Sequence, residues 1–128
     1  MLKKILILII TLTSILNSTI IKTQLTEKLI KEKIPIVDIR TNEEWKQTGI
    51  VKNAITITAW YSNGKIYIND FLKELNEKID TSKPFAMYCR TGHRTSKLAN
   101  FLSKKLNYTI YDIKGGILKI NKKYIEKY

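Results

Sequence analysis

The chain has 128 residues, 44% of them hydrophobic, which is one domain's length with enough apolar material for a core. Its 23 basic residues against 11 acidic ones give a formal net charge of +12, which suits acidic partners in general without choosing among them. A single cysteine excludes an internal disulfide framework.

In chain order, Met1-Leu2-Lys3-Lys4 is a short basic segment followed by an apolar run from Ile5 to Leu16 interrupted by hydroxyls. This is the layout of a secretory signal peptide over residues 1–19, with residues 20–128 left for the folded domain. It is short for a transmembrane helix. Asn17-Ser18-Thr19 offers no clean small-x-small cleavage site, so an uncleaved membrane anchor stays open, as does a buried strand. The expectation is an exported, periplasmic protein, with membrane attachment only through this segment. An exported chain with one cysteine carries a thiol that is either reactive or paired between molecules. Without Lys3 and Lys4 there remain 21 basic and 11 acidic residues, about +10. The lysines are scattered over helix faces and no nucleic-acid motif accompanies them, so they read as solvated surface and no nucleic-acid partner is expected.

Thr23-Gln24-Leu25-Thr26-Glu27 is expected to open a helix, with Thr23 as cap and Leu25, Leu29 and Ile30 on its apolar side. Ile34 to Arg40 is a β-branched strand whose Pro35 is tolerable near its start. Asp38 and Arg40, two apart, project to the same side of it. Thr41 or Asn42 caps a helical turn with Glu43 and Glu44 in its first positions. Ala54 to Thr58 alternates as a strand, Asn63-Gly64 marks a turn, and Asn69 or Asp70 caps a helix carrying Phe71, Leu72, Leu75 and Ile79. Tyr108 to Ile113 is a last strand, and Lys114-Gly115-Gly116 turns the chain into a final helix through Ile117, Ile120 and Tyr124.

Between these lies the stretch where chemistry is concentrated. Pro84 to Tyr88 has the length and flanks of a strand buried on both faces, and Leu98, Phe101, Leu102 and Leu106 form a helical stripe. Cys89 therefore sits where a strand ends and a helix begins. Unpaired amides and the macrodipole favour an anion there, and Arg90 and Arg94 add positive charge, so the position favours the thiolate. Gly92 permits a positive φ, allowing several successive amides to face the sulfur. A metal at Cys89 and His93 would have to draw its remaining ligands from carboxylates, and neither a metal nor an organic cofactor is expected.

The loop Cys89-Arg90-Thr91-Gly92-His93-Arg94 resembles the active-site loop of rhodanese-like sulfurtransferases, which read Cys-Arg-x-Gly-x-Arg before a small hydroxylated residue, here Thr95. A phosphatase-type loop would place its arginine six positions after the cysteine, where this chain has Thr95 rather than Arg94. The run Asp38-Ile39-Arg40 through Glu44-Trp45, Gly49-Ile50 and Ala54-Ile55 resembles a second signature of the family. Ile50 replaces the usual histidine there, and Lys52-Asn53 replaces a Pro-Gly. The double glycine at 115 and 116 also belongs to the pattern, without its usual aromatic ending.

Alternating β and α elements imply an α/β fold with a mainly parallel central sheet of about five strands and helices on both faces, ligands binding beyond the strands' carboxyl ends. The resemblance implies a sulfurtransferase with a Cys89 persulfide, a small anionic sulfur donor such as thiosulfate, and a thiol or cyanide acceptor. It implies that Arg90, Thr91, Gly92, His93 and Arg94 form the substrate loop, with Arg94 either contacting the donor or pinning the loop. Asp38 and Arg40 would support the architecture nearby. A non-catalytic anion- or protein-binding module is the alternative, and a phosphatase or arsenate reductase a lesser one.

Overall fold

The computed structural model describes residues 18–128. The leader read over residues 1–19 lies outside them, except Ser18 and Thr19. The Thr19 carbonyl accepts from the Ile110 amide at 2.9 Å, at the end of the first sheet pairing.

Five parallel strands make the central sheet: β1 (Ile20–Thr23), β2 (Ile36–Asp38), β4 (Ile55–Thr56), β5 (Phe85–Tyr88) and β6 (Ile110–Ile113), in the order β1-β6-β5-β2-β4. Every pairing in it is parallel, so the expected mainly parallel α/β sheet is wholly so. β2 and β5 are buried at every residue, which explains their unbroken apolar runs: covered on both faces, they have no solvent side to encode.

One face is covered by α3 (Ile68–Lys78) and α4 (His93–Leu106), which bury Phe71, Leu75, Leu98, Ala99 and Leu102 against Val37, Phe85, Met87 and Ile110. The other is covered by α1 (Glu27–Lys31) and a 3-10 turn at Gly116–Lys119, through Leu29, Ile117 and Ile120 over Ile36, Ala86, Tyr88 and Ile113. Each fully buried aliphatic or aromatic side chain here contributes about 1.5–3 kcal/mol. The short α2 (Asn42–Thr48) leads into β3 (Ile50–Val51), which pairs antiparallel with β7 (Ile125–Glu126) in a separate ribbon.

Four local expectations are corrected. Thr23 ends β1 rather than capping a helix; α1 starts later, with Thr26 accepting from the Leu29 amide at 3.3 Å. Once residues 20–23 pair with β6, Thr23's carbonyl serves Lys114 and is lost to a helix start. The strand expected over Ala54–Thr58 is only Ile55–Thr56. α3 begins after Tyr67, with no side-chain cap from Asn69 or Asp70. The final helix is absent: two 3-10 turns, Gly116–Lys119 and Lys122–Tyr124, lead into β7 instead. The Ile117 and Leu118 amides bond Cys89 and Arg90 carbonyls, and the Tyr124 carbonyl accepts from Lys52, so that backbone is already committed across the fold.

Candidate functional site

β2 and β5 lie side by side with Asp38 opposite Tyr88, so both strands release their chains at the same edge of the sheet. From β5 the chain passes through Cys89 to Gly92 and enters α4. Gly92 has φ +96 and its carbonyl accepts the Ser96 amide at 3.0 Å, the first bond of the helix. With the backbone turned this way, the Gly92 amide points back and donates to Cys89 Sγ at 3.1 Å. A side chain at this φ would be strained.

Cys89 is fully buried and belongs to the apolar cluster beneath α4. Its sulfur is nonetheless not left in hydrocarbon: besides the Gly92 amide, the Thr95 hydroxyl lies 3.7 Å away, on a threonine that is itself buried and donates to the Gly92 carbonyl at 3.1 Å. Thr95 sits in the first turn of α4, buried on the face turned to the sheet. The cup of several amides expected from sequence is, among the described residues, one amide and this hydroxyl.

The other loop residues divide by direction. Arg90, Thr91 and His93 are exposed at the rim. Arg94 turns to α2, where Nη1 and Nη2 meet Glu44 Oε1 and Oε2 at 2.7 and 2.8 Å. The Glu44 hydrogen bond and charge, together with the charge of Cys89, hold the Arg94 guanidinium above its ordinary value against burial. Burial pushes the Glu44 carboxyl up, but the bonds and charge of Arg94 win and hold it below the usual carboxylate range. The same carboxylate reaches back to Thr41, closing a capping box at the start of α2.

Asp38 and Arg40 are not a surface pair. Both are buried, and Arg40 Nε and Nη2 bond the Asp38 carboxylate at 3.0 and 2.7 Å. Burial works against the charge of Arg40, and the bonds and charge of Asp38 more than offset it, leaving the guanidinium above its ordinary value. Arg40 also donates to Thr48 Oγ1 at 2.6 Å and the Gly49 carbonyl at 2.7 Å, so it ties β2 to the end of α2. Its guanidinium lies 5.7 Å from the Tyr88 ring, whose hydroxyl accepts from the Val51 amide at 2.9 Å. Arg40 and Arg90 line one small pocket of about 40 Å³ with Glu44, Gln47, Thr48, Ile117 and Leu118.

The double glycine closes the site from outside. Gly116 has φ +60, and a Cβ added to it would overlap the carbonyl oxygens of Cys89 and Arg90. Those carbonyls accept from Ile117 and Leu118, at 2.8 and 3.4 Å, so the first half of the loop is held by the turn after β6 while Arg94 holds the second. From sequence, Glu44 is a first-turn acid and part of the second family signature, and Thr95 the hydroxyl after the loop; neither is read there as a partner of the loop. A Thr41-x-x-Glu44 box marked the first; nothing local marked its partner fifty residues away.

The model of the rhodanese-like domain matches residues 22–123. A protein of Rickettsia prowazekii described as uncharacterized is 40% identical over 85 residues, which cover 63% of this chain and 67% of that one. A tRNA uridine(34) hydroxylase of Pelagibacter ubique is 47% identical over 49 residues, 38% of this chain and 16% of that protein. The crystal structure of a rhodanese-like domain protein from Staphylococcus aureus superposes with a TM-score of 0.60 over 86% of this chain and 98% of its own, at 20% identity, a likeness of fold. With the family model spanning 22–123 and the cysteine loop, parallel sheet and double glycine in their places, the chain belongs to the rhodanese-like domain family.

Proposed function

We propose that this chain transfers sulfane sulfur through a persulfide on Cys89. The Cys89 thiolate attacks the outer sulfur of an anionic donor such as thiosulfate. An S–S bond forms at Sγ, the donor's own S–S bond breaks, and sulfite leaves with the electron pair. A thiolate or cyanide then attacks the outer sulfur, and Cys89 leaves as thiolate, ready for a second cycle. The exposed Arg90 attracts the donor, and Arg94 contributes positive charge from its fixed place on Glu44. His93 stands at the rim, where it can donate to a departing group.

The observation that carries this reading is the Gly92 amide 3.1 Å from Sγ at the start of α4, a donor fixed toward the atom on which negative charge develops. Treatment of the full chain with thiosulfate is expected to add about 32 Da at Cys89, seen by intact mass and removed by cyanide. Cys89→Ser is expected to add nothing.

Full burial of Cys89 favours a second reading, a rhodanese-like module that binds an anion or another protein without turnover. An unchanged mass after thiosulfate would select it. From the signal-peptide layout of residues 1–19 we infer export to the periplasm or, with the leader uncleaved, attachment to the membrane facing it, and the same mass spectrum reads where the leader ends.

A further inference from the structure

Beside the cysteine loop lies an open groove of about 560 Å³ that the scheme above does not use, between the end of α2, the 3-10 turn after the double glycine and β7. Its apolar lining is Ile117 and Ile120, both buried, the half-buried Ile125, and Leu118, at 58% the most exposed of the large hydrophobic side chains described. A lone exposed leucine is ordinary, but one that continues a row of isoleucines makes an apolar patch of the kind that partners cover. The patch is tied to the loop, because the Ile117 and Leu118 amides bond the Cys89 and Arg90 carbonyls.

The groove also opens toward the site. Gln47, Thr48, Ile117 and Leu118 line both it and the small pocket that Arg90 lines, so a chain lying in the groove has one end at the rim of the loop. Its charge is one-sided: Lys46, Lys122 and Lys127, all exposed, line it against one acid, Glu126. The lysine ion pairs of the described residues are made by Lys28, Lys31, Lys78 and Lys123 instead. A lining at once apolar and positive complements an acidic chain with apolar residues interspersed. RNA fits it less well, since no aromatic ring lines the groove to stack a base. A small thiol would occupy only the end next to Arg90, whereas the volume suits a few residues of peptide.

Resting on the persulfide reading of Cys89, we propose that this groove docks an extended acidic segment of a thiol-bearing acceptor protein and brings its thiol to the loop. The segment's thiolate attacks the outer sulfur of the Cys89 persulfide. A new S–S bond forms on the acceptor, the bond at Sγ breaks, and Cys89 leaves as thiolate while the acceptor departs as a persulfide.

The probe is a fluorescein-labelled hexapeptide, Glu-Leu-Cys-Glu-Leu-Glu, with a twin carrying lysine for each glutamate. Binding is read by fluorescence anisotropy in the full chain carrying Cys89→Ser, so that no disulfide enters. The acidic peptide is expected to bind at least about tenfold more tightly than its twin. Lys46→Glu, Lys122→Glu and Lys127→Glu together are expected to weaken it at least about tenfold, and Leu118→Ser about threefold or more. Lys73→Glu, Lys104→Glu and Lys105→Glu, on α3 and α4 over the other face of the sheet, change the net charge equally and are expected to weaken it less than about threefold at physiological salt. Equal affinity for the two peptides, or equal losses from the two lysine sets, overturns the proposal. So does tighter binding of labelled hexauridylate, or self-association of the chain, that the groove set abolishes. Should the groove set not fold, the two peptides and Leu118→Ser decide. Transfer is read separately, as loss of the mass that thiosulfate adds to the wild-type chain. Groove-dependent binding without any such gain rejects the persulfide and keeps the docking surface. Mass gained and then lost to free cysteine as fast as to the acidic peptide, with no selective binding, rejects the docking surface alone.

Discussion

Arg94 on α4 and Glu44 on α2 form a two-point ion pair of 2.7 and 2.8 Å that joins the end of the cysteine loop to the helix that follows β2. The pair is a quarter exposed or less at each side chain, and Glu44 is simultaneously the third residue of a capping box. One carboxylate therefore holds two structures: the start of α2, by returning a bond to Thr41, and the loop, by fixing Arg94.

Glu44→Gln, which keeps a capping box with Thr41, is expected to cost about 1–2 kcal/mol, the scale of a partly buried charge-assisted pair. Its pH dependence has a definite sign. The folded-state carboxyl is held below its ordinary value, so its stabilisation is fully present above the unfolded value, about 4.3, and is lost as pH falls through the folded one. Thermal unfolding of wild type below about pH 4.3 should show a loss that Glu44→Gln lacks. Parallel curves for the two proteins would mean that the pair does not persist in solution.

Asp38→Asn is expected to be far more damaging, about 3–5 kcal/mol, because it leaves the Arg40 guanidinium buried without a counter-charge. Urea unfolding monitored by tryptophan fluorescence measures it. A cost below about 1 kcal/mol would mean that Arg40 escapes to solvent when released.

Gly116→Ala is expected to destabilise by about 2 kcal/mol or more, since a left-handed φ and an overlap with two carbonyls both oppose it. Because the carbonyls belong to Cys89 and Arg90, the same variant should lose thiosulfate loading beyond what its stability alone explains. Gly64→Ala serves as the control, with a positive φ but nothing within 4 Å of the added carbon.

Full burial of Cys89 predicts slow reaction with a bulky aromatic disulfide reagent, at least about tenfold slower than in urea-unfolded chain, since the loop must open first. Equal rates would show that the closed loop is not the resting state.

Much of the fold was readable from local patterning. The buried strand before Cys89 is an apolar run with β-sheet flanks, and α4 announces itself by the spacing of Leu98 and Leu102. Thr41 and Glu44 spell their capping box within four residues. The failures fall where non-local pairing decided. Ile20–Thr23 is a strand because β6 lies beside it, and Ile117 to Tyr124, helical by apolar spacing, is divided because its amides are spent on the cysteine loop.

The site divides the same way. The order of residues in the chain determined that the one cysteine would stand between a strand end and a helix start, followed by a glycine able to turn its amide back, because these are consequences of covalent neighbours and backbone conformation. Only the tertiary structure decided that Arg94 would turn to Glu44, that Asp38 and Arg40 would be buried together and that Gly116 would cap the loop. Each of those joins residues from different elements, and a side chain's partner among distant acids and bases is set by which strands lie side by side and how closely they pack, which no local pattern records.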